Sequence, residues 1–310
     1  MDMNAGGKKV STDSRKNLIE KGMRAGDTDM YDEDLVWSRN SGDKIDIGEV
    51  LMRVIRTINK ALPLSRKLRV LSIGSGSEPQ FQILESAFRG GMYLLDIDSV
   101  PLSIVKDRIQ RQWIEHVTTI MADYNRVLVR PEKAEQFLKD KLDGRKPDLI
   151  TLHHSLYYCD ESVWKEFFVS LYRKILARRG AIHAVMMASN SEDRYSTTWL
   201  YNHFAGKFFN CRNDQDLNSF GAALEKNRVF SKAKILRQTH CVNFFVDDFE
   251  KFMAVIWMIL LYPNVHKYSL EQKEEITDHI FDNFWMKKKP LVQIQDHLVI
   301  ERNMGSNLSS

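Results

Sequence analysis

The stretch from Leu68 to Gln80, Leu-Arg-Val-Leu-Ser-Ile-Gly-Ser-Gly-Ser-Glu-Pro-Gln, limits what this chain can fold into more than any other. Leu68, Val70, Leu71 and Ile73 make a short apolar run with β-branched members, the pattern of a strand buried on both faces. Gly74 and Gly76 break it, and Pro79 stands where a helix can begin, ahead of the periodic Phe81, Ile83, Leu84 and Phe88. Glycines at a strand-to-helix turn let the backbone approach a ligand closely, and the helix amino end favours an anionic or electron-rich group. A second apolar segment, Met92-Tyr93-Leu94-Leu95, then ends in Asp96-Ile97-Asp98. A carboxylate at the end of a second strand can hold ribose hydroxyls, and Asp96 is the first choice with Asp98 as the alternative. The third glycine expected beside a dinucleotide pyrophosphate is replaced by Ser77-Glu78-Pro79. This points to a nucleoside ligand without a pyrophosphate.

Further along, Met121-Ala122-Asp123-Tyr124 follows an apolar stretch at Val117–Ile120. Asp148-Leu149-Ile150-Thr151-Leu152 then runs into the polar and aromatic His153-His154-Ser155-Leu156-Tyr157-Tyr158. This order resembles the class I S-adenosylmethionine-dependent methyltransferases over roughly residues 45–190. The resemblance implies an α/β fold of the Rossmann-like kind: a seven-stranded, mostly parallel sheet with helices on both faces and its last strand antiparallel. It also implies S-adenosylmethionine as cofactor and S-adenosylhomocysteine as product. Gly74, Ser75 and Gly76 would pass beneath the methionine part, with Glu78 and His153 nearby. Asp96 would take the ribose, and Asp123 with Tyr124 the adenine.

Within that class, the order is similar to the histamine N-methyltransferase family. Leu71-Ser72-Ile73-Gly74, Leu156-Tyr157-Tyr158, the Phe167-Phe168 helix and the Phe245-Val246-Asp247-Asp248 helix start carry the likeness. That family's acidic substrate contact falls on Asp43, its glutamine on His154, and its asparagine near Gln293. These departures imply a similarly built pocket for a different acceptor. Asp43 can pair with a cationic substrate or relay a proton, or can equally cap the following helix. His154, at the carboxyl end of the fourth strand, can accept a proton or orient the acceptor, or simply hold its loop. Tyr31, Trp37, Tyr157 and Tyr158 can wall a cation, or pack. The reading is a methyltransferase acting on a small molecule, at an amine or imidazole nitrogen. A protein or RNA methyltransferase, or a non-catalytic scaffold with the same fold, are the alternatives.

The 310 residues can bury one large core, and the 28% charged and 43% hydrophobic shares are those of a globular protein. A net charge of +4 without a basic stripe argues against a nucleic-acid partner. Cys159, Cys211 and Cys241 are an odd number without Cys-x-x-Cys spacing, so neither disulfides nor a metal site is expected, and a reducing, cytoplasmic setting fits. No signal peptide is visible near Lys8-Lys9. Phe252–Tyr262 is about half the length of a spanning helix, hence a core helix and no membrane anchor.

Residues 1–16 and 304–310 read as tails, and 17–303 as one elaborated domain, monomeric or homodimeric. It divides into a helical lid (17–62), a cofactor-binding core (63–188), and substrate-shaping and closing elements (189–303). Residues 189–230 read as polar and broken, and 234–246 as a strand pair or one bent strand. Helices are expected at 46–62, 161–177, 248–261 and 270–285, with a closing strand over 291–302.

Overall fold

The computed structural model describes residues 12–27, 30–261 and 268–304, except for the side chains of residues 12, 13, 30, 31 and 261. In chain order, helices α1 (Thr12–Arg24), α2 (Met30–Asn40) and α3 (Asp43–Ala61) precede strand β1 (Arg69–Ile73) and helix α4 (Phe81–Ala87). Then come β2 (Gly91–Asp96), α5 (Ser99–Arg111), β3 (Val117–Met121), α6 (Tyr124–Val127), α7 (Pro131–Lys141) and β4 (Leu149–His153). Helix α8 (Glu161–Ser170) runs into a π-helical turn, Leu171–Ile175, before β5 (Gly180–Met187). Next are α9 (Thr197–Phe209), α10 (Leu217–Glu225), β6 (Ala233–Phe244), α11 (Phe249–Leu261), α12 (Leu270–Ile280) and β7 (Leu291–Arg302).

The strands form one seven-stranded sheet in the order β3-β2-β1-β4-β5-β7-β6. Strands β1 to β5 pair in parallel, and β7 lies antiparallel to β5 with Ile182 opposite Ile300. This is the Rossmann-like architecture that the resemblance implies. The chain steps outward through β2 and β3, then returns to the other side of β1 at β4. Between β1 and β4 their connections therefore diverge, leaving a crevice at the carboxyl ends of the two strands.

Two compact units are present. One comprises Gly42–Ser191, Asn213–Val242 and Gln293–Ser310 and holds the core of the sheet. In β1, Leu71 and Ile73 pack with Ile150, Leu152 and Phe167, while Val70 packs with Leu94, Leu149 and Leu84 on the opposite side. The strand is thus buried on both faces, as its unbroken apolar run requires. Helix α3, grouped with the lid by the sequence reading, packs Val50, Leu51, Val54 and Ile58 into the same layer as Val70 and Leu84.

The other unit comprises Met1–Ser41, Glu192–Arg212 and Asn243–Val292. Its α11 is the expected core helix: Phe252, Met253, Val255, Ile256 and Trp257 are fully buried, and the Trp257 indole N–H donates to the Gly22 carbonyl at 2.7 Å. No helix among the described residues is long and apolar enough to cross a membrane.

Two expectations need correction. Residues 12–16 are helical in α1, where Arg15 pairs with Asp278 at 2.9 Å and Asp282 at 3.0 Å, a partnership invisible in a local pattern. Residues 1–11 lie outside the described residues, as do 305–310. The span 189–230 contains α9 and α10, each started by a side-chain cap, Ser196 to Trp199 N–H and Asp216 to Ser219 N–H. Of the two readings of 234–246, the single strand is the one found, as Ala233–Phe244.

The turn after β1 depends on Gly74, whose φ is +63° and whose Cα lies against Ser155. A Cβ there would stand 2.3 Å from the Ser155 Cβ. Gly74→Ala therefore adds left-handed backbone strain to an overlap, and is expected to cost about 3 kcal/mol or more. Urea denaturation checks this, and an unchanged midpoint contradicts it.

Candidate active site

His154 follows the last residue of β4 and takes φ +51°, while its N–H donates to the Val185 carbonyl at 2.9 Å. A left-handed non-glycine residue at a strand end holds its side chain in a direction that an extended residue does not. Two contacts of the imidazole define its setting. Nε2 lies 3.2 Å from Asp43 Oδ1, and Nδ1 lies 3.3 Å from the Tyr157 hydroxyl, with the two rings stacked at 13°. That hydroxyl accepts the Met187 N–H at 2.6 Å and can donate its own proton to His154 Nδ1, in the tautomer in which His154 donates from Nε2 to the Asp43 carboxylate. Burial raises the Tyr157 phenol well above its ordinary range, keeping it neutral.

Asp43 stands in the first turn of α3 and is 7% exposed. Gly42, not Asp43, occupies the cap position of that helix. A buried carboxylate oriented on an imidazole is the arrangement that raises imidazole basicity and stabilises the cation it forms.

The glycine turn is closed upon itself. Gly74 N–H and Ser75 N–H both donate to the Leu95 carbonyl, at 2.8 and 3.1 Å. Gly76 N–H donates to Asp96 Oδ2 at 2.7 Å, and Asp96 Oδ1 accepts the Asp98 N–H at 2.9 Å. Asp96 thus ties the ends of β1 and β2 together, while each of its oxygens keeps acceptor capacity. No heavy atom of the described residues comes within 4 Å of the position a Cβ would take on Gly76, so they leave that side of the turn open. Facing Gly74, the Ser155 hydroxyl is buried without a hydrogen-bond partner among the described residues, as are the hydroxyls of Thr151, Ser170 and Thr197.

Glu78, at φ +55° and 3% exposed, turns inward from this loop. Its carboxyl meets Ser72 and accepts the Gln80 N–H at 3.1 Å, and burial pushes it up to about 7. It serves the inside of the turn.

The other sequence candidates are placed as follows. Asp98 caps α5 through Val100 N–H at 2.8 Å. Asp123 caps α6 through Asn125 N–H at 2.9 Å and also meets Arg126 at 3.3 Å. Tyr124 is buried, stacked on Phe167, and its hydroxyl donates to the Ser155 carbonyl at 2.6 Å, bracing the residue after His154. Tyr158 is exposed. The Gln293 amide donates to Gln295 Oε1 at 2.9 Å. Trp37 belongs to the other unit, where it is buried and stacked on Phe244 at 5.4 Å. Tyr31 lies in α2, and its side chain falls outside the described residues.

Sequence reasoning missed a file of histidines behind the site. His153 Nε2 meets His183 Nδ1 at 3.1 Å, His183 Nε2 meets His297 Nδ1 at 3.2 Å, and His297 Nε2 meets Asp46 Oδ2 at 2.8 Å. Burial lowers His153 to about 3 and His297 to about 4, and takes His183 well below its ordinary value. All three are neutral at physiological pH. Donation toward Asp46 then fixes one tautomer along the file, each Nε2–H facing the next acceptor. The available signal was His183 within the apolar Ala181-Ile182-His183-Ala184-Val185, since a buried imidazole needs a partner.

No family model and no curated protein matches the chain. Solved structures do resemble it. YcgJ from Bacillus subtilis is 14% identical, with 81% of this chain and 97% of that one covered at a TM-score of 0.47. Phosphoethanolamine N-methyltransferase 2 of Haemonchus contortus, in complex with phosphomonomethylethanolamine and S-adenosylhomocysteine, is 12% identical, covering 81% of this chain and 52% of its own at 0.45. The [4+2]-cyclase SpnF is 10% identical, with 82% of each chain covered at 0.45. Likeness at this level identifies no family.

Two surface cavities of the sheet unit, about 470 and 590 Å³, lie elsewhere: one is lined by Glu85, Arg89, Trp113 and His116, the other by Lys165, Phe220 and Asn227. Neither includes His154, Asp43 or Asp96.

Glu78 yields a test of the turn. Its folded value stands above the ordinary 4.5, so the stability it contributes is full below that value and is lost as pH rises through about 7. Relative to Glu78→Gln, which keeps both hydrogen bonds without a charge, the wild type is expected to lose on the order of 3 kcal/mol across this window. Denaturation of both proteins from pH 4.5 to 8 measures the difference. Parallel curves contradict the assignment.

Proposed function

We propose that the chain is an S-adenosylmethionine-dependent methyltransferase acting on a small-molecule acceptor, at an amine or imidazole nitrogen. The observation that supports it is the meeting of His154 with Asp43 and Tyr157 beside the closed glycine turn. Phosphate groups are held by free backbone N–H groups, and those of Gly74, Ser75 and Gly76 are engaged within the chain. What the turn offers is an ionisable carboxylate and the space that the described residues leave over Gly76. These features suit a nucleoside with a diol, and a cation, better than a phosphate ester.

In this reading Asp96 holds the ribose, Asp123 the adenine amino group, and Gly74–Gly76 underlie the amino-acid part. When bound, the cofactor supplies an electrophilic methyl group on a positively charged sulfur and leaves as S-adenosylhomocysteine. The chain's task is to position the acceptor, exclude water and remove one proton. His154 receives that proton at Nδ1 as the acceptor takes the place of the Tyr157 hydroxyl. Asp43, held at Nε2, stabilises the imidazolium and attracts a cationic acceptor. Tyr157, anchored by Met187, keeps the imidazole in plane. The pocket is built on the plan of the histamine N-methyltransferase family, with a histidine in place of its glutamine. The protein acts in a reducing setting, in keeping with free Cys159, Cys211 and Cys241.

Release of S-adenosylhomocysteine with a panel of amines, imidazoles and phenols tests the acceptor class. Nitrogen acceptors alone are expected to turn over, and turnover only with phenols contradicts the nitrogen assignment. With an acceptor in hand, Asp43→Asn is expected to lower kcat about 10²–10⁴-fold while leaving S-adenosylhomocysteine affinity within about threefold. Undiminished kcat in the variant removes the dyad from the mechanism.

A further inference from the structure

At the far end of the histidine file, three side chains from three distant segments converge. His240 of β6 brings Nδ1 to 2.7 Å from Asp46 Oδ1, and His297 of β7 brings Nε2 to 2.8 Å from Asp46 Oδ2. Asp46 itself stands near the start of α3, and the three donor atoms all lie within 4.8 Å of one another. We propose that Asp46, His240 and His297 form a binding site for a divalent transition ion of the zinc kind.

The donor set selects the ion class. Two imidazoles and a carboxylate suit zinc, cobalt, nickel or copper, and are a poor match for magnesium or calcium, which take oxygen ligands. Bonds of about 2.0–2.1 Å to a tetrahedral ion put ligand atoms about 3.3 Å apart. The two contacts to Asp46 therefore need to open by only about half an ångström, a side-chain adjustment on a fixed sheet.

The surroundings are those of a prepared site. With the ion at Nε2, His297 carries its proton on Nδ1 and donates it to His183 Nε2 at 3.2 Å, the tautomers of the file reversing from those of the metal-free chain, and this contact sets the ring orientation from behind. Gln295 donates to Asp46 Oδ2 at 2.7 Å, and its own Oε1 is fixed by Gln293. The Gln295 amide nitrogen also stands 3.4 Å from His297 Nε2, so it orients both ligands in the metal-free chain and turns aside when the ion enters. The His297 side chain is 1% exposed, whereas Asp46 and His240 are 19% and 27% exposed. One wall is rigid and buried, and the other opens to solvent, which supplies an entry path and a position for water as a further ligand. The ligands are too far apart in sequence for a spacing motif, which explains why cysteine and histidine spacing gave no metal signal.

The site can be tested on the full chain stripped with a chelator and titrated with zinc chloride in a calorimeter. One equivalent is expected to bind at micromolar concentration or below, and His240→Ala is expected to weaken it by about 100-fold or more. His240 is partly exposed and its removal leaves the sheet core intact, so matching far-UV spectra of the metal-free proteins establish that the variant folds. Cys241, the exposed neighbouring thiol, is controlled by Cys241→Ser, which is expected to bind zinc as the wild type does. Cobalt supplies an independent readout: visible absorption bands of a four-coordinate ion in the wild type, lost in His240→Ala. Absence of one-equivalent binding, or equal binding by His240→Ala, overturns the proposal. So does loss of binding in Cys241→Ser. None of these outcomes depends on methyl transfer.

Discussion

The closest approach on which the site depends is between Gly74 and Ser155. Parallel pairing of β1 with β4 brings the two strand ends side by side, with no room for a side chain at residue 74. The consequence runs in both directions along the chain. On one side, the left-handed Gly74 sends the backbone up to Leu95 and Asp96, closing the turn. On the other, Ser155 follows a left-handed His154, whose ring is thereby aimed at Asp43 and Tyr157. Both halves of the candidate site are set by one steric contact at the switch point of the sheet.

A closed turn changes what the loop can recognise. In a phosphate-binding loop, free N–H groups carry the selectivity. Here the carbonyl of Leu95 and the carboxylate of Asp96 have taken those donors, so acceptor oxygens and space remain. Glu78 completes the inner wall of the turn as a carboxyl that burial raises to about 7, against hydrogen bonds from Ser72 and the Gln80 N–H that favour its charged form. The candidate site therefore offers carboxylates, Asp96 and Asp43, each with partners, rather than free amide donors.

Much of the sheet was legible because its strands are buried on both faces and punctuated by glycine, proline and acidic residues. Leu68–Ile73, Met92–Leu95, Leu149–Leu152 and Ala181–Met187 announce themselves as apolar runs of strand length. His154 and Asp43 were legible one at a time, from their positions, but their 3.2 Å contact spans 111 residues and lies beyond any local pattern. Asp46 shows the limit more sharply. Three residues from Asp43 on the same helix, it reads as one more surface acid, and only folding brings His240 and His297 to it. Residues 189–230 were misread because their helices rest on caps and aromatic packing, such as Trp199 stacked on His203 at 4.5 Å, rather than on a clean apolar stripe. The π-helical turns at Leu171–Ile175 and Phe281–Trp285 left no signal, since their residues continue the helical periodicity before them.

The central claim is that the loop closed by Asp96 holds a nucleoside sulfonium, and calorimetric titration with S-adenosylmethionine and S-adenosylhomocysteine tests it most directly. Wild-type protein is predicted to bind both at micromolar concentration, with affinity for each reduced at least about tenfold in Asp96→Ala, the loss of one charge-assisted hydrogen bond. Absence of binding to either ligand, or binding indifferent to Asp96, would contradict the account and leave the fold without the chemistry ascribed to it.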